Sequence, residues 1–225
     1  FQALTGQASC DDASPGHYVD SSGSSSQTEC TNGTYQPGSA QSSCIDASPG
    51  HYVDSNASAS QTACLPGTYN PETASNNSSA CITADLGNYV SQSGQSAQTP
   101  ASAGYYVDSI GATSETPCLA GTYNPDSGST SSSACVDADL GYYVPQQGRS
   151  FQSPAMPGYY VDTTAATTQT PCQPGSYNPN STSTVSTDCL TADLGNYVGN
   201  SGQSSQTPAS AGYYVDTVGA TTQIP

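Results

Sequence analysis

The 225-residue chain has no tryptophan, one methionine, two phenylalanines and two histidines, and Arg149 is its single basic side chain apart from them. Each shortage closes off a class of function. One cation cannot neutralise a run of phosphates, so nucleic acid is excluded as a partner. A net charge of −16 argues equally against anionic membrane surfaces. No apolar run approaches the roughly 20 residues of a membrane helix, so no membrane insertion is expected. No signal peptide is visible, as expected of a mature or internal segment. Leu, Ile, Val, Met and Phe are few, and that poverty with so high a charge ordinarily leaves a chain disordered. His17 and His51 fall at a variable position of a repeat, whereas a Ser–His–Asp arrangement needs one uniquely oriented histidine. Neither is expected to be catalytic, and no enzymatic activity is expected. Cys-x-x-Cys, the proximity on which compact zinc motifs depend, is absent.

What is present is a repeat. Gly-x-Tyr recurs with its tyrosine at Tyr18, Tyr35, Tyr52, Tyr69, Tyr89, Tyr106, Tyr123, Tyr143, Tyr160, Tyr177, Tyr197 and Tyr214. The steps have two lengths, the shorter as from Tyr18 to Tyr35 and the longer as from Tyr69 to Tyr89, and Phe1 stands one further short step upstream. A fixed period of this size marks a stacked array. One kind of unit carries Pro-Gly-His-Tyr-Val-Asp or Ala-Gly-Tyr-Tyr-Val-Asp and ends near Gln-Thr-x-Cys, as at 13–30. A second runs from cysteine to cysteine through Gly-Thr-Tyr-Asn-Pro, as at 64–81. A third carries Ala-Asp-Leu-Gly-x-Tyr-Val and ends on alanine, as at 81–101. The stretch 1–80 alternates the first two kinds. The stretch 81–225 repeats the triplet third, first, second, with Cys81, Cys135 and Cys189 opening its successive copies. The excess of each longer step falls between Tyr-Asn-Pro and the next cysteine, where a Ser/Thr-rich loop absorbs it. Both ends fall within a unit, so the chain reads as a window on a longer array.

Nine cysteines and a tyrosine at every step offset the poverty in aliphatics. Local pairing gives Cys30–Cys44, Cys64–Cys81, Cys118–Cys135 and Cys172–Cys189, and leaves Cys10 for a cysteine before Phe1. The longer pairing, Cys135 to Cys172, also satisfies the count. Either scheme requires an oxidising compartment, which places the chain outside the cell or at its surface. Gly, Pro, Asn, Ser and Thr between short apolar patches indicate brief strands and turns with almost no helix. The expected fold is all-β, an elongated repeat rod of short strands and turns braced by local disulfides. Its units are either solenoid coils or stacked hairpin modules.

The pattern Pro-Gly-x-Tyr-Val … Ser-x-Gln-Thr-x-Cys-x-x-Gly-Thr-Tyr … Ser-Ser-x-Cys resembles the ephrin-receptor-like cysteine-rich repeat, which is related in style to tumour-necrosis-factor-receptor modules. Cys-x-x-Gly-[Thr/Ser]-Tyr at Cys30, Cys64, Cys118 and Cys172 is the most specific part of the match. The resemblance implies an extended extracellular rod without enzymatic activity. The chain departs from it at Ala101, Ala155 and Ala209, which stand where cysteine is expected.

Other residues carry weaker signals. Asp20, Asp54, Asp108, Asp162 and Asp216 recur after Tyr-Val, and Asp85, Asp139 and Asp193 before Leu-Gly. A stack that brought the first set together would offer oxygens to calcium, but aspartate also caps turns through its own side chain. Sequons at Asn32, Asn56, Asn76, Asn77 and Asn180 are candidate glycosylation sites. Tyr105, Tyr142, Tyr159 and Tyr213 each precede a second tyrosine, and alternation along a strand sends one of each pair inward and one outward. Gln146 to Met156, with Arg149 and Phe151, is the one stretch that breaks the repeat. The leading expectation is a self-associating structural segment of an extracellular filament or surface stalk, carrying covalent glycans and needing no cofactor. The alternative is an adhesin or receptor-like ectodomain.

Overall fold

The computed structural model describes residues 1–2, 4–6 and 9–225. Its regular structure consists of two-residue antiparallel strand pairs, with three short 3-10 turns. The units are hairpins rather than flat solenoid coils, because the strands pair two by two in chain order, each pair a separate sheet. His17–Tyr18 faces Thr28–Glu29, Thr34–Tyr35 faces Ile45–Asp46, and the same pairing recurs along the chain.

A turn launches every hairpin. The His17 N–H donates to the Ser14 carbonyl (3.0 Å) across Pro15-Gly16, with Gly16 at φ +81°. A positive-φ glycine at the third position is what a type II turn requires, and proline is common at the second. Gly50 meets a second requirement. A Cβ built there would stand 2.1 Å from the carbonyl oxygen of Gly94, in the tip of the next hairpin but one. Gly50 is therefore fixed by its dihedral and by backbone–backbone approach together, whereas Gly195 and Gly212, where a Cβ would meet nothing, are fixed by the dihedral alone. The tyrosine two positions on sits opposite a Thr, Ser or aliphatic residue, as in Tyr52↔Thr62 and Tyr69↔Ile82. Such aromatic–β-branched pairs stabilise a short sheet.

Three backbone hydrogen bonds join successive hairpins, and the set repeats. In hairpins 33–47 and 50–64, Gly33 N–H donates to the Val53 carbonyl (2.8 Å), Gln36 N–H to Ser58 (3.0 Å), and Ala57 N–H to Cys30 (2.8 Å). This ladder explains how so few aliphatics suffice. The hairpins bond to one another through the main chain, and the interior needs only small side chains. Ala13, Cys30, Ala47, Cys64, Ala84, Ala101, Cys118, Ala138, Ala155, Cys172 and Ala192 occupy one repeated position and are buried, as are Val53, Val90, Val107, Val144, Val161 and Val198 three positions after the turn glycine.

By their contacts the residues form two compact units, Phe1–Ala101 with Val107–Glu115, and Ser102–Tyr106 with Thr116–Pro225. The first holds hairpins 16–30, 33–47, 50–64, 67–84 and 87–101, together with the tip 107–115. Phe1 joins the pattern there, exchanging backbone hydrogen bonds with Asp11 (2.7 and 2.8 Å) in the place a tyrosine takes elsewhere. The change of repeat pattern at Cys81 falls inside this unit. The second holds the strand pair Tyr105–Tyr106 with Thr116–Pro117, hairpins 121–138, 141–155, 158–172, 175–192 and 195–209, and a final Tyr214↔Ile224 bridge.

The insertions of the longer steps become the 3-10 turns Ser78–Ala80, Ser132–Ala134 and Ser186–Asp188. Hairpin 33–47, which lacks the insertion, has no such turn. The Asn77 side chain caps the first of these turns by accepting from Ser79 N–H (3.0 Å). In the third, the Asp188 carboxylate accepts from Thr184 N–H (3.1 Å).

The adjacent tyrosines correct one expectation. Tyr105 and Tyr106, Tyr142 and Tyr143, and Tyr159 and Tyr160 are all half-buried, so neither member of a pair is an inward core residue and neither is free. A Cβ at Gly148 would stand 2.7 Å from the Tyr105 hydroxyl, and one at Gly202 would stand 2.8 Å from that of Tyr159. The first tyrosine of each of these two pairs thus roofs the tip of the next hairpin but one. Tyr213 (46% exposed) and Tyr214 (52% exposed) remain open.

Candidate functional site

Two kinds of brace occupy one structural position. Hairpins 33–47, 67–84, 121–138 and 175–192 are closed by the disulfides Cys30–Cys44, Cys64–Cys81, Cys118–Cys135 and Cys172–Cys189. The longer-range Cys135–Cys172 pairing does not form. Cys10 is exposed and unpaired.

Elsewhere alanine replaces the first cysteine and glutamine the second. The Oε1 atoms of Gln27, Gln61, Gln98, Gln152, Gln169, Gln206 and Gln223 accept from the N–H groups of Ser14, Ser48, Asp85, Asp139, Met156, Asp193 and Ser210, at 2.7–2.8 Å and always thirteen residues apart. Ala155 and Ala209 are thus no gaps in a cysteine pattern, because Gln169 and Gln223 brace the hairpins they open. Ala101 occupies the same buried position, with Glu115 standing in register with the glutamines.

A third device was not legible as such in the sequence. Asn70, Asn124 and Asn178 take the position that valine holds in most hairpins, and they are buried. The Nδ2 of Asn124 donates to the Tyr105 carbonyl (2.9 Å) and to Ser129 Oγ (2.9 Å), while its Oδ1 accepts from Asp126 N–H (3.1 Å). Asn70 and Asn178 repeat these bonds, and Gln36 takes the equivalent position in hairpin 33–47. Among the described residues no buried side-chain nitrogen or oxygen lacks a partner, as a low-dielectric interior requires. The only outward signal was Asn-Pro after Gly-Thr-Tyr, which reads equally well as a turn.

The charged candidates do not converge. Asp20, Asp54, Asp108, Asp162 and Asp216 are exposed, and among the described residues no three His, Cys, Asp or Glu side chains come together in a metal-binding group. The carboxylates of Asp85, Asp139 and Asp193 accept from the Nε2 atoms of Gln98, Gln152 and Gln206 at 2.7–2.9 Å, so each Asp–Gln pair is a reciprocal clamp. These three carboxylates close the hairpin mouth rather than cap a turn of their own backbone. His17 and His51 bond through Nδ1 to the carbonyls of Pro15 (3.3 Å) and Pro49 (3.1 Å), and the His51 ring lies against Gly94.

The sequon asparagines Asn32, Asn56, Asn76, Asn77 and Asn180 are all exposed. The Oδ1 of Asn56 accepts from Asn32 N–H (3.1 Å), and Asn77 Nδ2 donates to Asn76 Oδ1 (2.7 Å). In the irregular stretch, Phe151 is 60% and Met156 54% exposed. Arg149 is half-buried, with its guanidinium donating to Gln146 Oε1 (2.9 Å) and its carbonyl accepting from Asn124 N–H (3.1 Å).

Concavities recur where a disulfide-braced hairpin meets the hairpin before it. The one at Cys118–Cys135 has a volume of about 300 Å³ and is walled by Tyr106, Pro117 and the disulfide, with Thr122 and Ser132 at its polar edge. Its counterpart at Cys172–Cys189 is lined by Tyr160, Pro171, Ser176 and Ser186. A third, at Cys44, has Tyr18 and Thr34 in the same places and Glu29 in place of the proline. A larger hollow of about 500 Å³ beside Phe1, Cys10 and Val19 has different walls. Among the described residues no helix is long and apolar enough to cross a membrane.

Compared with known protein families, the chain matches no family model, and among curated proteins no sequence matches it.

Proposed function

We propose that this chain is a structural segment of an extracellular fibre, or of the stalk of a cell-surface protein, that works by repetition rather than through a unique site. The observation that carries this reading is the sameness of the steps. Gly33, Gly67, Gly121 and Gly175 each donate to the buried residue three past the next turn glycine at 2.8–2.9 Å, on both sides of the change in repeat pattern. Four disulfides favour an oxidising compartment, and the resemblance to ephrin-receptor-like repeats points the same way. Self-association, and glycans on the exposed Asn32, Asn56, Asn76, Asn77 and Asn180, belong to this reading. No catalytic role is included.

Electron microscopy of native, unreduced material tests it. Continuous filaments, or slender stalks ending in a distinct head, are the expected images. Compact isolated particles would overturn the proposal.

The irregular stretch favours a second reading, an adhesin or receptor-like ectodomain. Phe151 and Met156 expose apolar surface, whereas the equivalents of Phe151 in the neighbouring triplets are Ala97 and Ser205, and those of Met156 are Ser102 and Ser210. Loss of partner binding on replacing Arg149 and Phe151, with assembly intact, would establish that reading.

A further inference from the structure

The concavities beside the disulfides have walls of an unusual kind for this molecule. The chain carries 17 carboxylate side chains and a net charge of −16, yet the hollows at Cys118–Cys135 and Cys172–Cys189 are lined by no charged residue. Each has a half-buried tyrosine, Tyr106 or Tyr160, as one wall, and a proline ring, Pro117 or Pro171, beside it. Hydroxyls stand at the edge. Thr122 Oγ1 donates to the Leu119 carbonyl (2.8 Å) and Ser176 Oγ to that of Gln173 (2.7 Å), which leaves their lone pairs as acceptors at the hollow.

We propose that these hollows are binding sites for neutral saccharide rings, repeated along the array. The apolar C–H face of a pyranose matches a tyrosine face, and its hydroxyls match the Thr and Ser oxygens. A mostly apolar wall with a few oriented polar groups is the usual make-up of a small-ligand site. At about 300 Å³ the hollow at Cys118–Cys135 lies at the small end of the range for such sites, roughly 300–1,000 Å³, and the one at Cys172–Cys189, at about 190 Å³, is smaller. An acidic ligand is repelled by the net charge, and a basic one finds no carboxylate in the walls.

A peptide is disfavoured for a structural reason. Among the described residues each strand is only two positions long and already paired, which leaves little edge to hydrogen-bond an added backbone. The hollow at Cys44 is a natural control, because Glu29 replaces the proline. Repetition on one chain also suits a multivalent saccharide, whose linked rings gain avidity without new contacts. The inference goes beyond the structural role and stands whether or not the chain forms a fibre.

The sugar has two possible sources, a glycan attached to this chain or a saccharide from outside. Saturation-transfer NMR with methyl glycosides of neutral hexoses, on the dispersed 225-residue chain, tests both. For an outside source, glycosylated and unglycosylated chain bind alike in the millimolar range. For an attached source, free glycoside binds only the unglycosylated chain, because the hollows of the other are filled. Tyr106→Ala with Tyr160→Ala weakens binding about tenfold or more, the equivalent of roughly 1.4 kcal/mol, while the matching phenylalanine variants retain it. In case the alanine variants unfold, Thr116→Arg, at a position lining the first hollow, with Thr170→Arg at the equivalent exposed strand position beside Pro171, obstructs both hollows and abolishes binding in a folded chain. Absence of saturation transfer in both preparations overturns the proposal. So do transfer that survives the arginine variants, and displacement of the sugar by a proline-rich peptide.

Discussion

Hairpins 33–47 and 87–101 hold their ends together differently at the same place. The first uses a covalent bond between Cys30 and Cys44, fourteen residues apart. The second keeps Ala84 buried and lets Gln98 bond across the hairpin mouth to the Asp85 N–H and carboxylate. A disulfide restricts the unfolded chain and is typically worth about 2–4 kcal/mol, whereas a hydrogen bond adds about 0.5–1.5 kcal/mol net. The two kinds of hairpin nonetheless carry the same backbone ladder to their neighbours. The brace therefore sets how firmly each mouth is closed, and the ladder sets the stacking.

The sharpest way to break that comparison is to strike the ladder itself. Gly50→Ala in a glutamine-braced hairpin and Gly67→Ala in a disulfide-braced one should be comparably severe. The added Cβ would meet the carbonyl oxygens of Gly94 at 2.1 Å and Gly111 at 2.4 Å. A positive φ alone costs an L-residue about 1–2 kcal/mol, and the displaced backbone raises the total beyond about 3 kcal/mol. Hydrogen exchange should show loss of protection in the stacked neighbours on both sides. A mild effect at Gly67 alone would mean that the disulfide, not the ladder, carries the stacking.

Exchanging one brace for the other comes next. Cys118→Ala with Cys135→Gln should destabilise hairpin 121–138 by about 1–3 kcal/mol, the disulfide contribution less one regained hydrogen bond. The reverse exchange, Ala84→Cys with Gln98→Cys, reproduces the fourteen-residue spacing of Cys30–Cys44 and should form a fifth disulfide. Mass spectrometry before and after reduction reads the bond, and hydrogen exchange reads its effect. On full reduction the glutamine-braced hairpins should stay protected longer than those that have lost a disulfide.

Asn124→Val makes a disulfide-braced hairpin resemble its neighbours at the buried position. Valine fits there in hairpin 141–155, but at 124 it would strand the Tyr105 carbonyl and the Asp126 N–H. A loss of about 2–3 kcal/mol is expected, since an unsatisfied buried polar group costs about 1–3 kcal/mol. Gln98→Leu, which removes an exposed brace, should cost about 1 kcal/mol and loosen only the mouth of its own hairpin. The smallest change has the opposite sign. Thr182 sits at φ +58° in a tip where Gly148 and Gly202 occur, so Thr182→Gly should stabilise hairpin 175–192 by about 0.5–1 kcal/mol in a denaturant titration.

Much of this was readable in the chain, for a physical reason. A repeat so short and regular fixes what each unit must contain, and Gly-x-Tyr marks the turn glycine and first strand of each hairpin. The excess before Cys81, Cys135 and Cys189 located the three 3-10 turns. The candidate concavities were not readable, because Tyr106 and Ser132 belong to different hairpins and meet only after stacking. The equivalence of glutamine and cysteine was hidden as well. Gln27 and Cys44 share no chemistry, and only their common place in the hairpin shows that both close its mouth.

Composition and spacing by themselves determined the all-β class, the period, the wealth of turns and the need for something other than an aliphatic core, since these depend on local dihedral limits and residue counts. The tertiary structure decided which cysteines join, why Ala replaces Cys beside Gln, and why Asn is buried where Val would fit. Those choices are made by contacts across each hairpin mouth and between successive hairpins, which no local propensity specifies.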